Sequence, residues 1–231
     1  MVHKVIRHIK QGTLLETFKK YILQKFGDNK KKKAPTKSIA YRSNEESILQ
    51  GDIPEKYTRI LPYVKGERVL DIGAAEGVMS FLLTKSKKRV YALEKSAHRF
   101  QESYKVREAL KEKGFPVERC ELLMGSIDDR LDLLDMVDTV VAIRVIYYFH
   151  DANKTLAEIG KKVENVVLGG NAEKVDAYNN GMQTKRNYLS TIEAMKKLLE
   201  DNGYEITTIV AEGDPIVVGQ KKENRKSVKG D

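Results

Sequence analysis

Short apolar runs alternate with longer amphipathic stretches from about residue 60 onward. Short runs rich in Val, Ile and Leu are typical of buried strands, whereas apolar residues at helical spacing are typical of surface helices. Repeated strand–helix alternation predicts an α/β fold with a parallel, doubly wound sheet. The predicted strands are Arg68–Ile72, Arg89–Leu93, Cys120–Met124, Thr139–Ile143 and Asn165–Leu168, and the predicted helices are Gly77–Lys85, Ala97–Lys113, Asp128–Leu134 and Asp151–Val163.

The pattern changes near the carboxyl end of the chain. A strongly amphipathic helix is predicted over Thr191–Asn202, with Ser190 as its N-cap and Gly203 as its stop. Two strands follow, Tyr204–Val210 and Pro215–Gly219, with four residues between them. Because a parallel crossover needs a dozen or more residues, this link predicts an antiparallel hairpin. We therefore expect a mostly parallel, seven-stranded sheet that ends in an antiparallel hairpin, with helices on both faces.

Positive charge is concentrated at the front of the chain. The 231 residues include 42 Lys and Arg and 33 Asp and Glu, for a net charge of +9. Residues 1–37 alone carry +9, the tail 221–231 carries +3, and residues 38–220 sum to −3. We therefore predict a basic amphipathic N-terminal arm and linker (1–37), a ligand-binding domain (38–220) and a basic tail (221–231).

The arm has apolar residues at helical spacing, among them Leu15, Phe18 and Ile22. Two interpretations remain open. The apolar stripe packs on the domain, or it lies on an anionic membrane surface or on a partner, with the lysines around it. A nucleic-acid enzyme usually spreads its positive charge over the substrate face, which this chain does not obviously do.

Composition narrows the class of protein. A hydrophobic share of 41% excludes general disorder. The lone cysteine, Cys120, excludes a disulfide framework and a multi-cysteine zinc site. No apolar run approaches the roughly 18 residues of a spanning helix, and no signal peptide is visible. The sequence predicts a cytoplasmic protein, with a peripheral position at the inner membrane face left open by the arm.

The most informative stretch is a buried strand followed by a small-residue turn and a helix start. Gly73 and Gly77 in the turn allow the backbone to come close to a ligand. Asp71 stands at the end of the strand, and Glu94 follows 23 residues later, at the end of the next predicted strand. An acid at that position is placed to hydrogen-bond ribose hydroxyls.

Two cofactor classes share this geometry. A dinucleotide enzyme uses G-x-G-x-x-G with a pyrophosphate at the helix N-terminus. Here the two glycines are four residues apart, and the stretch carries two acids, Asp71 and Glu76. Such acids repel phosphate and attract the cationic methionine end of S-adenosylmethionine, so the charge pattern favours S-adenosylmethionine over NAD.

At these residues the sequence resembles the class I S-adenosylmethionine-dependent methyltransferases, over about residues 55–220. The first motif of that family, an acid followed by x-G-x-G-x-G, runs from Asp71 to Gly77, with Ala75 at the middle glycine. Glu94 matches the acid that binds ribose in the family. The predicted terminal hairpin also matches the reversed last strand pair of the family.

A second segment of the resemblance is Gly125–Asp128, which matches the family segment that contacts adenine. Ser126 replaces the usual aspartate there, and Asp128 is a candidate to take its role. The resemblance implies S-adenosylmethionine as cofactor. The cofactor-binding residues that it implies are Asp71, Gly73, Ala74, Ala75, Glu76, Gly77, Glu94, Lys95, Ser126, Ile127, Asp128 and Arg144.

Catalytic or substrate-binding residues in the family usually follow the fourth strand, which here points to Arg144, Tyr148 and His150. The chain lacks the Asn/Asp-Pro-Pro-Tyr/Phe stretch of transfer to exocyclic base nitrogens and the cysteine pair of base-carbon methyltransferases. O-methylation is the simplest interpretation that remains.

A hydroxyl acceptor needs a base, and histidine suits that role near neutral pH. His150 is the candidate base, with helix capping by His150 or Asp151 as the alternative. Arg144 binds an acceptor carboxylate or phosphate, or else pairs with Asp128 or Glu94. Tyr148 is a candidate for the acceptor pocket.

Asn171–Asn187 is predicted to be a long polar loop after the fifth strand, where Lys185, Arg186 and Tyr188 contact an anionic or sugar acceptor or simply face solvent. A segment before the first strand, Ile39–Tyr63, is a candidate lid over the cofactor. The expected acceptor is a hydroxyl on a sugar or glycolipid, ahead of a small soluble metabolite and of RNA, and a non-catalytic cofactor-binding scaffold remains an alternative.

Overall fold

The computed structural model describes residues 55–222. The predicted amphipathic arm, most of the candidate lid and the tail beyond Lys222 lie outside the described residues. Among residues 55–222, no helix is both long and apolar enough to cross a membrane.

Seven strands of the described region form one sheet, in the order β3-β2-β1-β4-β5-β7-β6. Strands β1 to β5 pair in parallel with one another, whereas β7 is antiparallel to both β5 and β6. This confirms the mostly parallel sheet and its terminal hairpin. The strands are β1 Arg68–Ile72, β2 Arg89–Glu94, β3 Cys120–Met124, β4 Thr139–Ile143, β5 Asn165–Gly169, β6 Tyr204–Val210 and β7 Ile216–Lys221.

Helices connect the strands and cover the sheet. In the described region they are α1 Glu55–Thr58, α2 Val78–Leu83, α3 Ala97–Glu112, α4 Ala152–Lys162, α5 Ala172–Asn179, α6 Lys185–Tyr188 and α7 Ile192–Asp201. Short 3-10 helices cover Leu61–Tyr63, Val117–Arg119, Ile127–Asp129, Leu131–Met136 and Ile146–Tyr148.

The core forms two layers, one on each face of the sheet. Successive residues of a strand face opposite sides, so Leu70 belongs to the layer beneath α4 and α7, and Val69 to the layer beneath α2 and α3. Both residues are fully buried. The central strands are apolar on both faces, as expected for a parallel sheet covered by helices on both sides.

Three local predictions were wrong. The predicted Asn171–Asn187 loop contains α5 and α6, because the side chains of Asn171 and Thr184 cap them. The N-cap of α7 is Thr191, whose side chain accepts a hydrogen bond from the Ala194 amide at 3.2 Å, while the Ser190 hydroxyl donates to the Arg186 carbonyl. The acidic helix predicted over 128–134 is instead a pair of 3-10 helices.

Candidate functional site

The candidate site lies at the carboxyl edge of the parallel strands. From β1 the chain proceeds outward to β2 and β3, and then returns to place β4 on the other side of β1. Open α/β sheets bind ligands at such a switch point, outside the carboxyl ends of the strands. The loops after β1, β2 and β4 therefore define where the predicted residues come together.

The turn after β1 is shaped by backbone that favours glycine. Gly73 has φ 73° and Gly77 has φ 78°, while Ala75 tolerates φ 53°. A side chain at Gly73 would place its Cβ only 2.5 Å from Val145 Cγ2, in the loop after β4. The Gly73 and Ala74 amides both donate to the Leu93 carbonyl, which fixes the turn against β2.

Asp71 is buried beneath this turn. Its Oδ2 accepts a hydrogen bond of 2.6 Å from the Ser80 hydroxyl on α2. Burial raises the pKa of the Asp71 carboxyl to about 6, against the opposing effect of the Ser80 hydrogen bond and with a further contribution from nearby Glu94. Two carboxyl groups thus face the turn from adjacent strands, which makes this edge a place that favours a cationic ligand.

Glu94 links the turn to the loop after β2. Its Oε2 accepts from the Ala75 amide at 2.9 Å, and its Oε1 accepts from the Ser96 amide at 2.7 Å. A carboxylate has about four lone-pair sites, so each oxygen retains one with which to accept a ligand hydroxyl. The glycine turn and this oriented acid fit an adenosine ribose and a methionyl group, with Gly73–Gly77 and Glu94 as the residues that would hold them.

The predicted adenine segment follows β3. Ser126 and Asp128 are adjacent, with Ser126 Oγ 3.5 Å from Asp128 Oδ2, and Ile127 between them is buried. The other Asp128 oxygen accepts from the Thr155 hydroxyl on α4 at 3.1 Å. Asp128 is exposed yet tied to a neighbouring helix, so its orientation is set by the protein.

Arg144 has a partner that was not expected. Its guanidinium forms a bidentate pair with Asp214, at 2.7 and 2.8 Å, instead of pairing with Asp128 or Glu94. Asp214 also accepts from the Ala172 amide at the start of α5. The pair joins the end of β4 to α5 and to the β6–β7 turn, and Arg144 has φ 55°, a left-handed backbone that is uncommon for a side-chain-bearing residue.

Two tyrosines follow β4, with different exposures. Tyr147 is 6% exposed and belongs to the core, whereas Tyr148 is 49% exposed. Their ring centres are 4.7 Å apart. Lys95 Nζ and Arg186 Cζ lie 5.6 and 5.5 Å from the Tyr148 ring centre. Tyr148 therefore stands beside Lys95, next in sequence to the candidate ribose acid.

His150 is exposed and immediately precedes Asp151, the N-cap of α4. The Asp151 side chain accepts from the Lys154 amide at 3.1 Å, so Asp151 performs the capping. The His150 side chain is therefore not required as a cap.

Tyr57 on α1 was not singled out from the sequence. Burial and the nearby Glu76 carboxylate raise the pKa of its hydroxyl to about 12, so the hydroxyl is buried close to the motif turn. Glu76 itself is half-buried in the turn that precedes α2. Its sequence signal was its position within Ile39–Tyr63, the candidate lid. Tyr57 lies outside the motif itself, so the motif gave no indication of its role.

Comparison with known proteins agrees with this geometry. A family model described as a methyltransferase domain matches residues 64–229. Among curated proteins, no sequence matches.

Solved structures show the same fold. Magnesium protoporphyrin IX methyltransferase from Synechocystis PCC 6803, crystallised with bound SAH, is 15% identical, with 91% of this chain and 95% of that chain covered and a TM-score of 0.55. An O-methyltransferase family protein from Burkholderia thailandensis is 12% identical, covering 92% and 70%, with a TM-score of 0.58. Precorrin-6y C5,15-methyltransferase from Geobacter metallireducens GS-15 is 17% identical, covering 84% and 96%, with a TM-score of 0.50.

The family match covers most of the chain, and the sheet order, glycine turn and oriented acid agree with it. The chain therefore belongs to the class I S-adenosylmethionine-dependent methyltransferases, with S-adenosylmethionine as its cofactor.

Proposed function

We propose that this methyltransferase transfers the methyl group to a hydroxyl of a carbohydrate, glycolipid or other cell-surface precursor. The observation that carries the proposal is the half-exposed ring of Tyr148, which lies beside Lys95 and Arg186 at the carboxyl edge of the sheet. An aromatic ring flanked by hydrogen-bond donors suits a sugar, because the ring packs against its C–H groups while the donors meet its oxygens.

The cofactor supplies a methyl group activated by a sulfonium centre. The residues placed to bind it are the Gly73–Gly77 turn, Glu94 with the adjacent Lys95, and the Ser126–Asp128 segment. In this assignment Glu94 accepts from the ribose hydroxyls, and the buried charge of Asp71 favours the cationic end. The turn lies against the loop after β4, so it would hold the cofactor beside the loop where the acceptor is proposed to bind.

His150 is the proposed general base. It is exposed and lies two residues beyond Tyr148. The side chain of Asp151, and not that of His150, caps α4. In this role an imidazole nitrogen of His150 would take the proton of the acceptor hydroxyl, while the cofactor would supply the methyl group and leave as S-adenosylhomocysteine. Arg144 has a positioning role, since its pair with Asp214 holds the end of β4 against α5.

The basic arm, residues 1–37, is proposed to bring the enzyme to an anionic membrane surface where a glycolipid acceptor is found. The full chain and a variant lacking residues 1–37 are compared for sedimentation with vesicles of anionic lipid. Loss of sedimentation with retained transfer to a soluble acceptor supports this arrangement. Equal sedimentation of both proteins contradicts it.

The acceptor class is tested by transfer of labelled methyl from S-adenosylmethionine into a host-cell extract. The products are divided into RNA, lipid with polysaccharide, and small-molecule fractions. Label in the lipid and polysaccharide fraction, lost in a His150→Gln variant that still binds cofactor, supports the proposal. Label in the RNA fraction or in the small-molecule fraction contradicts it. If no fraction is labelled although cofactor binding is confirmed, the non-catalytic scaffold is favoured.

A further inference from the structure

Three cations converge on the tyrosine pair from three different elements. Lys95, directly after β2, and Arg186, on α6, lie beside the Tyr148 ring at 5.6 and 5.5 Å from its centre. Lys174, on α5, lies 4.8 Å from the centre of the Tyr147 ring. The tyrosine rings are themselves in contact, so the three cations lie beside one aromatic cluster.

Arg186 was nominated from the sequence for an anionic or sugar acceptor, as Arg144 was for a carboxylate or phosphate, whereas Lys95 and Lys174 were not nominated for that role. Arg144 is already engaged in a bidentate pair with Asp214. Within residues 55–222, by contrast, no ion pair with a carboxylate is formed by Lys95, Lys174 or Arg186. Clustered like charges repel, and cation–π contacts with tyrosine offset this only in part.

The cluster is held in place by its supporting helices. Asn171 caps α5 and Thr184 caps α6, and the rings of Tyr178 and Tyr188 pack at 5.7 Å between the two helices. Arg186 therefore projects from a fixed helix and is not part of an unstructured loop. Donors carried by ordered helices bind an anion with a smaller backbone entropy cost than donors on an unstructured loop do.

We propose that the acceptor carries an oxyanion, a carboxylate or a phosphate, bound by Arg186 and Lys174 beside the Tyr147–Tyr148 pair. Arg186 provides a planar fork that matches either group, and Lys174 adds a second charge. Lys95 is both beside the Tyr148 ring and next in sequence to the candidate ribose acid, so an anion bound beside this ring would bring the acceptor hydroxyl close to the cofactor. The inference rests on the proposed function, since it names a chemical property of the same acceptor.

The test is a titration of the ¹⁵N-labelled full chain with inorganic phosphate, and in parallel with acetate, at constant ionic strength. We expect saturable amide shifts centred on Tyr148, Lys174 and Arg186. Stronger binding of phosphate or of acetate identifies which oxyanion the acceptor carries. Arg186→Gln should weaken this binding by roughly tenfold or more, because a charge-assisted hydrogen bond is lost, and Arg186→Lys should restore part of it.

Lys111→Gln is the matched control. Lys111 is exposed in the last turn of α3, which runs back toward the opposite edge of the sheet. Shifts that fail to saturate, or that weaken equally in the Lys111 and Arg186 variants, would overturn the subsite. Calorimetric binding of S-adenosylhomocysteine to the same samples separates the two proposals, because loss of cofactor binding undermines the methyltransferase site and leaves the anion result unaffected.

Discussion

Replacing Glu94 with glutamine tests the cofactor site at its most constrained point. The carboxylate accepts one hydrogen bond from the Ala75 amide and one from the Ser96 amide. Glutamine keeps one accepting oxygen but presents an NH₂ group to the other amide, so two donors face each other. The change therefore loosens the glycine turn and removes the charge that receives the ribose hydroxyls.

The size of the effect follows from these contacts. A hydrogen bond to a charged group contributes about 1.5–3 kcal/mol, which corresponds to a roughly ten- to hundredfold loss of cofactor affinity. Isothermal titration calorimetry with S-adenosylhomocysteine measures this loss directly. Glu108→Gln, an exposed residue on α3, is the control and should bind as the wild type does. If Glu94→Gln binds within twofold of the wild type, Glu94 does not bind the ribose.

Three further changes probe the same edge of the sheet. Gly73→Ala places a Cβ 2.5 Å from Val145 Cγ2, at a backbone φ of 73° that disfavours alanine. We therefore expect a lower melting temperature and weaker binding of S-adenosylhomocysteine. Wild-type values of both would contradict this account of the turn. Burial raises the pKa of Asp71 from 3.8 to about 6. The folded state then holds the proton more tightly, so this group's contribution to stability falls as pH rises from about 4 to 6. Asp71→Asn should remove that fall and be more stable than the wild type at pH 7 by on the order of 3 kcal/mol. Urea unfolding across pH measures this difference, and the variant should also bind cofactor more weakly. A parallel pH dependence of stability in both proteins would refute the raised pKa of Asp71. Asp214→Asn weakens the pair with Arg144 and should cost about 1–3 kcal/mol, seen as a lower thermal midpoint, whereas an unchanged midpoint would show that the pair does not stabilise the fold.

The sheet could be predicted closely because its strands carry an unambiguous signal. β1, β3, β4 and β6 begin and end at the predicted residues, since each is a short apolar or alternating run bounded by turns. The antiparallel hairpin followed from the length of one link alone. Buried strands of a parallel sheet are therefore visible in local sequence without knowledge of their partners.

The segment after β5 was predicted less well. Its polar composition indicated a loop, yet α5 and α6 form there because Asn171 and Thr184 cap them and a tyrosine from each helix packs against the other. Helices of four and eight residues gain most of their stability from such tertiary contacts, which a local pattern does not contain.

In the candidate site, too, some features could be predicted from local sequence and others depend on tertiary contacts. The motif turn and Glu94 were identified because their spacing along the chain matches a known arrangement. The Arg144–Asp214 pair was not, because its two residues are separated by 70 positions and meet only when the hairpin packs beside β5. The convergence of Lys95, Lys174 and Arg186 on two tyrosines likewise depends on how three elements are arranged in space.

The most direct test of the account is a crystal structure of the full chain with S-adenosylhomocysteine. The account predicts the ribose hydroxyls on Glu94, the amino-acid end against the Gly73–Gly77 turn, and the sulfur facing the loop that carries Tyr148 and His150. A ligand bound elsewhere, or one whose sulfur faces away from that loop, would contradict both the cofactor assignment and the acceptor site built upon it.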